Sequence, residues 1–384
     1  MVQYKPNEQD RSIISEITDR IQTSLSEWYG SGTALASTGP EIRTYQYCFM
    51  LRYPVSISSG GQKAILVKIR RHPKMTALHQ AVQANIHQYM HQEFGTLEFI
   101  FKGLASAGAD FGAIRPLHFM EKYHAILMEE YPSRTLRQLL DQEKSARNNW
   151  DRSELKDAAR KTGRWLYYFH NHLNTSQERE YTVADVLLEV QEYVERIERS
   201  TRGRIRARPI QDAFDSALRD IQLERVRFSQ THSDMTANNV LYSKDGKICI
   251  IDVKNRPAPV YVDLGLILTY PETSKPQIYS GGRYYPESLL RKYRAEIVAG
   301  YFEEEPGGQI LARIYCAVKV LDKWRMYEEL MGRYKGYKRA LSIPMAPFVS
   351  AYFQNLLRKY LGRIGSAEFG QVSDTDKATA ESSV

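Results

Sequence analysis

The stretch that decides the fold is residues 232–252, His-Ser-Asp-Met-Thr-Ala-Asn-Asn-Val-Leu-Tyr-Ser-Lys-Asp-Gly-Lys-Ile-Cys-Ile-Ile-Asp. Two apolar segments flank the pair Asp245-Gly246. Such a pair is typical of a two-residue type I′ hairpin turn, because both central residues of that turn need positive φ. Folding the strands about this turn places Asn239 opposite Asp252. The sequence therefore predicts a hairpin whose open end carries an amide and a carboxylate.

Asn239 and Asp252 suit a magnesium ion. Opposed residues of a hairpin have Cβ atoms roughly 4.5–5.5 Å apart. Mg²⁺ takes hard oxygen ligands at about 2.0–2.1 Å, commonly one or two side chains together with phosphates and water. Asp234 lies five residues before Asn239, and His232 lies two residues before that. The alternative is that these side chains make turns through hydrogen bonds to the backbone.

The spacing His-x-Asp-x-x-x-x-Asn, followed by an apolar strand that ends in Asp, resembles the catalytic loop and metal-binding Asp of the protein-kinase-like superfamily. Because Ser233 stands in place of the kinase Arg, the stretch resembles more closely the aminoglycoside/choline phosphotransferase branch. The resemblance implies ATP and Mg²⁺ as cofactors, and it implies that Asp234 accepts the proton of the attacking hydroxyl. Asn239 and Asp252 would hold the metal, and His232 would brace the loop.

The same resemblance implies an α+β fold of two lobes, with a small antiparallel sheet lobe before a larger, mainly helical lobe. The expected organisation is an N-terminal helix at 1–30, an N-lobe at 31–131, a C-lobe at 132–365 and a disordered tail at 366–384, which is rich in Ser, Thr, Ala, Asp and Glu. A Gly-x-Gly-x-x-Gly motif does not precede the lysine strand described next. Its absence argues against a protein kinase more than against the fold.

The segment 64–69 is a short apolar strand with Lys68 near its end. The resemblance implies that Lys68 contacts the nucleotide phosphates and pairs with a helix glutamate. Glu98, which lies among apolar residues, is the expected partner, and Glu93 is the second candidate. The alternative for Lys68 is an edge-strand lysine that points to water.

The segment 125–131 is an apolar strand that breaks into polar residues before Pro132, and it resembles the hinge between the two lobes. The resemblance implies that residues of this segment contact the nucleotide base. The candidates are Met128, Glu129, Glu130 and Tyr131.

Three further features lie outside the segments described so far. Asp263 resembles the aspartate that anchors the catalytic loop from below, although a helix N-cap role would explain it equally well. Val253 and Lys254, directly after Asp252, depart from the aromatic and acidic residues that small-molecule kinases commonly have there. His170 is expected to end a helix and complement its dipole.

Composition narrows the function classes. The formal net charge of +8 and the pI of about 9.1 favour anionic partners. Three scattered cysteines do not indicate a disulfide framework or a zinc site, and no segment has the roughly 18 apolar residues of a membrane span. We therefore expect a cytoplasmic protein. A basic stretch at 199–208 carries five arginines that should be exposed; it is either a solvated loop or an anion-gathering patch.

These features together predict an ATP- and Mg²⁺-dependent phosphotransferase that phosphorylates a hydroxyl of a small molecule or glycan. A neutral or anionic sugar or lipid-linked saccharide is favoured over an aminoglycoside, because a basic site would repel a polycation. Nucleic acid is not favoured, since no recognition motif is present. The alternatives are a catalytically inactive, nucleotide-binding regulator, or a basic scaffold that binds partners or the inner face of an anionic membrane peripherally.

Overall fold

The computed structural model describes residues 4–58, 60–84, 87–105, 107–145, 150–305, 307–334 and 336–365. The chain divides into two compact units, Met1–Ser133 and Arg134–Val384. The first unit is built on an antiparallel sheet, and the second is mainly helical. The α+β class expected from the sequence is therefore confirmed. The tail expected to be disordered, 366–384, lies outside the described residues.

The first unit surrounds a six-stranded antiparallel sheet in which the strand order is β1-β3-β4-β6-β5, with β2 paired to β3. A 3₁₀ turn at Glu121–Tyr123 joins the last two strands. The elements are α1 (Glu8–Tyr29), β1 (Ala34–Leu35), β2 (Glu41–Thr44), β3 (Cys48–Ser56), β4 (Gln62–Arg70), α2 (Leu78–Val82), α3 (His87–Leu104), β5 (Pro116–Met120) and β6 (Ala125–Glu129).

The two faces of this sheet have different coverings. Successive side chains of a strand point to opposite faces of the sheet. The odd-numbered residues of β4, which include Ile65 and Val67, enter a core with Ile17 and Ile21 of α1. The even residues, which include Lys68, face the other way, toward the side on which Met90 of α3 packs. The N-terminal helix is thus part of the core of the first unit.

The second unit combines helices with two small three-stranded sheets, ordered β11-β10-β7 and β12-β9-β8. A 3₁₀ turn at Trp150–Arg152 precedes α5, and a π-helical turn at Phe169–Leu173 extends it. The elements are β7 (Ser133–Thr135), α4 (Leu136–Glu143), α5 (Glu154–Tyr168), β8 (Gln177–Glu180), α6 (Val183–Ser200), α7 (Ala207–Leu218), β9 (Arg225–Thr231), β10 (Val240–Ser243), β11 (Ile248–Ile250), β12 (Arg256–Pro259), α8 (Tyr261–Thr269), α9 (Lys275–Tyr279), α10 (Glu287–Tyr301), α11 (Gln309–Gly332) and α12 (Gly336–Leu361).

Two glycines allow α5 and α10 to touch through their backbones. A Cβ atom on Gly163 would lie 2.1 Å from the carbonyl oxygen of Ile297, and one on Gly300 would lie 2.0 Å from that of Arg160. Real Cβ atoms do not approach backbone that closely, so both positions require glycine. This contact fixes the position of α5 against α10. His170 lies just after the end of α5.

The hairpin of β10 and β11 exists, but its expected register is wrong. Val240 pairs with Ile250, and the Ile251 N–H donates to the Asn239 carbonyl at 3.0 Å, so Asn239 is not opposite Asp252. The reason is the turn: only Gly246 of the Asp-Gly pair has positive φ (76°), and the loop contains three residues, 244–246. A type I turn followed by a left-handed glycine is the usual three-residue hairpin connection. One extra loop residue shifts the pairing by one.

All three cysteines are free thiols, and Cys249 and Cys316 are buried. Within the described ranges, no helix is long and apolar enough to cross a membrane. The same ranges contain no group of three or more His, Cys, Asp or Glu residues that could hold a metal ion.

Candidate functional site

The loop between β9 and β10 is held from below by Asp263, a fully buried residue in the first turn of α8. Its Oδ1 atom accepts a hydrogen bond from the backbone N–H of Ser233 at 2.8 Å, and its Oδ2 atom accepts one from that of His232 at 2.6 Å. The N-cap of α8 is Val260, so the alternative that Asp263 caps the helix is wrong. The carboxylate instead fixes the backbone at the start of the loop.

A second buried residue, His170, completes the support of Asp263. Its Nε2 atom lies 3.0 Å from Asp263 Oδ2, and its Nδ1 atom lies 3.1 Å from the Tyr301 hydroxyl. Burial alone would raise the pKa of Asp263, but the hydrogen bonds from His170 and the His232 backbone outweigh it, so the pKa is lowered. The carboxylate is therefore ionised.

Sequence reasoning missed the role of His170, which was expected only to complement a helix dipole. The signal that reveals it is structural. His170 lies in the π-helical turn that follows α5, and such turns often occur at functional sites because the inserted residue redirects a side chain.

His232 joins the loop to the end of β11. Its Nε2 atom lies 2.9 Å from the carbonyl oxygen of Ile251, so this nitrogen carries the proton and donates it. Its Nδ1 atom accepts a hydrogen bond from the backbone N–H of Asp234 at 3.2 Å. Since both ring nitrogens are used in this way, His232 supports the backbone next to Asp234.

Three residues around this loop have left-handed backbone conformations that side chains other than glycine rarely adopt: Ser233 (φ 62°), Asp252 (φ 60°) and Asn255 (φ 52°). Each costs on the order of 1–3 kcal/mol, and such residues cluster at active sites and ligand clamps. At Ser233 the conformation is held by the hydrogen bond to Asp263 and by the Thr231 hydroxyl, 2.8 Å from that of Ser233.

Asp234 lies at the exposed edge of the loop. Partial desolvation by the surrounding protein raises the pKa of its carboxyl group, while the positive charge of Lys254 lowers it. The negative charge of Asp252 also raises this pKa, and the positive charge of Lys323 lowers it. The resulting pKa of Asp234 is above its ordinary value. A carboxylate that is open to solvent and has a raised pKa is a suitable proton acceptor.

Asn239 contacts Asp234, and Asn239 and Asp252 do not face each other as expected. The NH₂ group of the Asn239 side chain donates to the backbone carbonyl of Asp234 at 2.9 Å. The Oδ1 atom of the same amide therefore points away from this carbonyl and is left as an acceptor. Asp252 follows Ile251, whose N–H donates to the Asn239 carbonyl. Because Asp252 has a left-handed conformation, its side chain does not continue the alternation of the strand. An amide oxygen and a carboxylate are a suitable ligand set for Mg²⁺.

In the first unit, Lys68 forms an ion pair with Glu93, whose Oε1 atom lies 2.6 Å from Lys68 Nζ. The expected pairing with Glu98 is wrong, because Glu98 lies 3.8 Å from Lys102 on the same helix. Five residues in a helix correspond to about 140° of rotation. Glu93 belongs to the stripe of α3 that includes Met90 and faces the sheet, whereas Glu98 is off that stripe. The alternative that Lys68 points to water is also wrong, since its side chain is only 12% exposed.

The hinge-like segment lines a pocket of about 490 Å³ in the first unit. Glu130, paired with Arg52 at 2.8 Å, contributes to its wall together with Glu129, Ala64 and Pro132. The N–H groups of Glu129 and Glu130 donate to the carbonyls of Arg115 and Ala64, so neither can donate to a nucleotide base.

The other two hinge candidates do not line this pocket. Met128 is buried in the cluster on the Lys68 side of the sheet. Tyr131 packs against Gly112, where a Cβ atom would lie 2.2 Å from the tyrosine hydroxyl.

The arginines of 199–208 are mostly paired. Arg204 lies 3.2 Å from Glu328, Arg206 lies 3.3 Å from Glu198, and Arg208 lies 3.9 Å from Asp212. All three side chains are exposed as expected. Their carboxylate partners reduce the charge available for an anion, which favours the solvated-loop alternative.

Comparison with known proteins gives matches in structure. No protein-family model matches the sequence, and no curated protein matches it. The structure is similar to that of an ethanolamine kinase from Plasmodium vivax, at 9% identity over 92% of this chain and 91% of that one, with a TM-score of 0.51. It is also similar to a glucosamine kinase solved with glucosamine, ADP and inorganic phosphate, at 12% identity over 91% and 87% of the two chains, again with a TM-score of 0.51.

These similarities extend over nearly the whole of each chain. The described architecture is therefore the two-lobed, protein-kinase-like fold of small-molecule kinases, and the predicted resemblance is confirmed at the level of the fold. At such low sequence identity, the likeness concerns the fold alone.

Proposed function

We propose that this chain is a phosphotransferase that moves the terminal phosphoryl group of ATP to a hydroxyl group, with Mg²⁺ as cofactor. The observation that carries the proposal is the anchoring of the loop around Asp234. Its backbone is bonded to the buried Asp263 carboxylate through two N–H groups, and the Asn239 amide is bonded to the Asp234 carbonyl. The proposed proton acceptor is thereby held in one position next to Asn239, one of the two proposed oxygen ligands.

In the second unit, Asp234 accepts the proton of the acceptor hydroxyl as the oxygen attacks. Asn239 and Asp252 hold Mg²⁺, which neutralises charge on the phosphates when bound. His232, His170 and Asp263 keep the loop in place. Because phosphoryl transfer asks for little covalent chemistry from a protein, positioning of this kind supplies most of the rate enhancement.

In the first unit, Lys68 contacts the nucleotide phosphates and is oriented by Glu93. The ion pair is largely shielded from water, with side-chain exposures of 12% and 11%, so it holds the ammonium group firmly. The pocket beside Glu129 and Glu130 receives the nucleotide base. Met128, on the Lys68 side of the sheet, and Tyr131, against Gly112, support that segment through packing.

The acceptor is a small molecule or a glycan, and a neutral or anionic sugar is preferred over a polycationic aminoglycoside. The formal charge of +8 supports this preference, because a basic protein attracts anions and repels polycations. Lys254 adds to this charge close to Asp234.

The experiment that tests the proposal is ATP turnover by the full chain with a panel of hydroxyl acceptors: neutral hexoses, hexuronates, hexosamines, choline and ethanolamine. Replacing the proton acceptor by Asp234→Asn should lower kcat by about 10²–10⁴-fold and leave ADP affinity unchanged. Asp220→Asn, the same change at an exposed position, is the matched control.

The two alternative functions give different results in this experiment. A catalytically inactive regulator would bind nucleotide without turnover that depends on Asp234. A scaffold would show no nucleotide binding at all. Either result would overturn the proposed function.

A further inference from the structure

A cavity of about 220 Å³ lies in the second unit, where strand β9 and the start of α11 meet. Its wall includes Arg225 and Arg227 of β9, Tyr261 of α8 and Gly308, which precedes α11. We call it the rear cavity. None of the described residues assigned to the proposed reaction lines it. Its volume is below the roughly 300–1,000 Å³ of pockets for drug-sized ligands, so it suits a small molecule.

Tyr261 brings a hydroxyl group without a partner to this cavity. Its side chain is only 8% exposed. A Cβ atom on Gly308 would lie 2.0 Å from the hydroxyl oxygen, so the hydroxyl lies against the backbone of another residue of the cavity wall. It forms no hydrogen bond with any residue that the structure describes. Buried polar groups are normally hydrogen-bonded. The Tyr261 hydroxyl therefore needs a partner that enters the cavity.

The N-terminus of α11 opens into the same cavity. Gly307, Gly308 and Leu311 belong to its wall. The N-cap of this 24-residue helix is Gly308, which has no side chain to accept a hydrogen bond from the first turn, and that turn contains no acidic residue. The first N–H groups of a helix have no partner within it, and they carry a partial positive charge. Such a terminus favours an anion.

The charged side chains of the rear cavity leave one arginine available. Arg227 is held by Glu305 and by the Asn171 Oδ1 atom, which accepts a hydrogen bond from it at 3.1 Å. Arg225 is held loosely, because its Nε atom lies 3.8 Å from the Glu178 carboxylate and its side chain is 66% exposed. Its guanidinium group can therefore turn toward a ligand. Together with the helix terminus, it makes the cavity favourable for a small anion.

We propose that the rear cavity binds a small molecule through a carboxylate or phosphate group, and that its occupancy stabilises the loop around Asp234. The anion accepts hydrogen bonds from the Tyr261 hydroxyl and from the first N–H groups of α11, and Arg225 closes over it. This inference goes beyond the proposed function, because the cavity is separate from the residues that would hold nucleotide and acceptor, and because binding there needs no phosphoryl transfer.

A chain of buried side chains connects the rear cavity to the loop. Tyr301 belongs to the cavity wall, and its hydroxyl lies 3.1 Å from Nδ1 of His170. The other ring nitrogen of His170 lies 3.0 Å from Asp263, whose carboxylate holds the backbone at the start of the loop. A ligand that packs on Tyr301 restrains this network. The loop should therefore open less often when the cavity is occupied.

The test of binding is isothermal titration calorimetry of the full chain with inorganic phosphate and, separately, with malonate, in buffer without nucleotide or Mg²⁺. Tyr261→Phe removes the hydroxyl and keeps the ring, and Arg225→Gln removes the loosely held cation. The matched controls are Tyr47→Phe, at an exposed tyrosine, and Arg208→Gln, at an arginine that is 91% exposed. Lys68→Gln reports on binding of the anion at the nucleotide site.

We expect at least one of the two anions to bind, and the comparison between them decides between phosphate and carboxylate. Tyr261→Phe should raise the Kd about tenfold, as for the loss of a hydrogen bond to a charged group. Arg225→Gln should raise it about two- to fivefold, as for an exposed ion pair. The two controls and Lys68→Gln should leave it unchanged. Absence of binding by both anions, or a Kd that Tyr261→Phe leaves unchanged, would overturn the inference.

Hydrogen exchange measured by mass spectrometry tests the effect on the loop. At saturation with the anion, exchange of the amides at 232–234 should slow about fivefold or more in the parent. Tyr301→Phe keeps the ring in the cavity wall and lacks the hydroxyl that contacts His170, so it should bind the anion without slowing this exchange. Equal slowing in Tyr301→Phe, or none in the parent, would overturn the stabilisation of the loop. Neither measurement requires ATP turnover, so a failure of the proposed function would be seen separately.

Discussion

The buried carboxylate of Asp263 should be the main support of the loop, and Asp263→Asn tests this with almost no change in volume. The carboxylate accepts three hydrogen bonds, from the backbone N–H groups of His232 and Ser233 and from His170. An asparagine has one oxygen and one NH₂ group. In its better orientation the oxygen keeps the bonds from His232 and His170, and the NH₂ group faces the Ser233 N–H.

The cost of this change can be worked out from the bonds affected. One hydrogen bond is lost, which leaves a buried N–H group unsatisfied at about 1–3 kcal/mol. The two remaining bonds change from charged to neutral acceptors, and each loses on the order of 1 kcal/mol. We expect Asp263→Asn to lower the free energy of unfolding of the second unit by about 3–5 kcal/mol, as for other broken buried charge networks.

Urea unfolding followed by tryptophan fluorescence measures this loss near the site. Trp165 stacks on Phe169 with ring centroids 4.9 Å apart, directly before His170. The pKa of Asp263 is lowered in the folded state. Its stabilising contribution is therefore complete above the unfolded pKa of about 3.9, and it is lost as the pH falls through the lower folded value. The difference between parent and variant should be full at neutral pH and should shrink under acidic conditions.

The matched control is Asp212→Asn, an exposed carboxylate 3.9 Å from Arg208, which should change stability by no more than about 0.5 kcal/mol. A loss of less than about 1 kcal/mol in Asp263→Asn at neutral pH would refute the reasoning. The loop would then be held by something other than this carboxylate.

Three other outcomes follow from the structure. Glu93→Gln should weaken nucleotide binding about three- to tenfold through loss of the Lys68 pair, whereas Glu98→Gln should not; equal affinities measured by calorimetry would contradict this. Because the pKa of Asp234 is raised, kcat/KM should fall with decreasing pH through a limb above the ordinary carboxyl value, and a pH profile flat down to pH 4 would exclude Asp234 as the base. Gly163→Ala should destabilise the protein by about 1–3 kcal/mol through overpacking. Gly95→Ala, with open space around its Cβ, should stabilise α3 by about 0.5–1 kcal/mol. Thermal unfolding that ranks the two variants otherwise would contradict the close contact of α5 and α10.

Much of the fold could be predicted because its signals are local. The spacing of His232, Asp234 and Asn239 lies within one loop, and the apolar strands around Lys68 and Asp245 are continuous in sequence. These patterns carry the family resemblance, and the resemblance implied the two-lobed α+β fold. The roles of Asp234, Asn239 and Asp252 in catalysis and metal binding remain predictions that the experiments above address.

The errors occurred where a local pattern had more than one three-dimensional solution. The Asp-Gly pair is compatible with a two-residue and a three-residue loop, and the choice between them shifts every pair along the hairpin by one. The choice between Glu93 and Glu98 depends on the rotation of α3 about its axis. Sequence neighbours of Glu98 are apolar, but in a helix adjacent residues point in different directions.

By itself, the sequence determined which loop carries the candidate site, because residue identity and spacing within a chain survive any change in packing. For Asp263 it left open an anchor of that loop and a helix N-cap, and the structure decided for the anchor. Only the tertiary structure decided that His170 supports Asp263 and that Glu93 pairs with Lys68. The physical reason is the same in each case. These contacts join residues 25 to 93 positions apart, and their geometry is set by how helices pack and rotate.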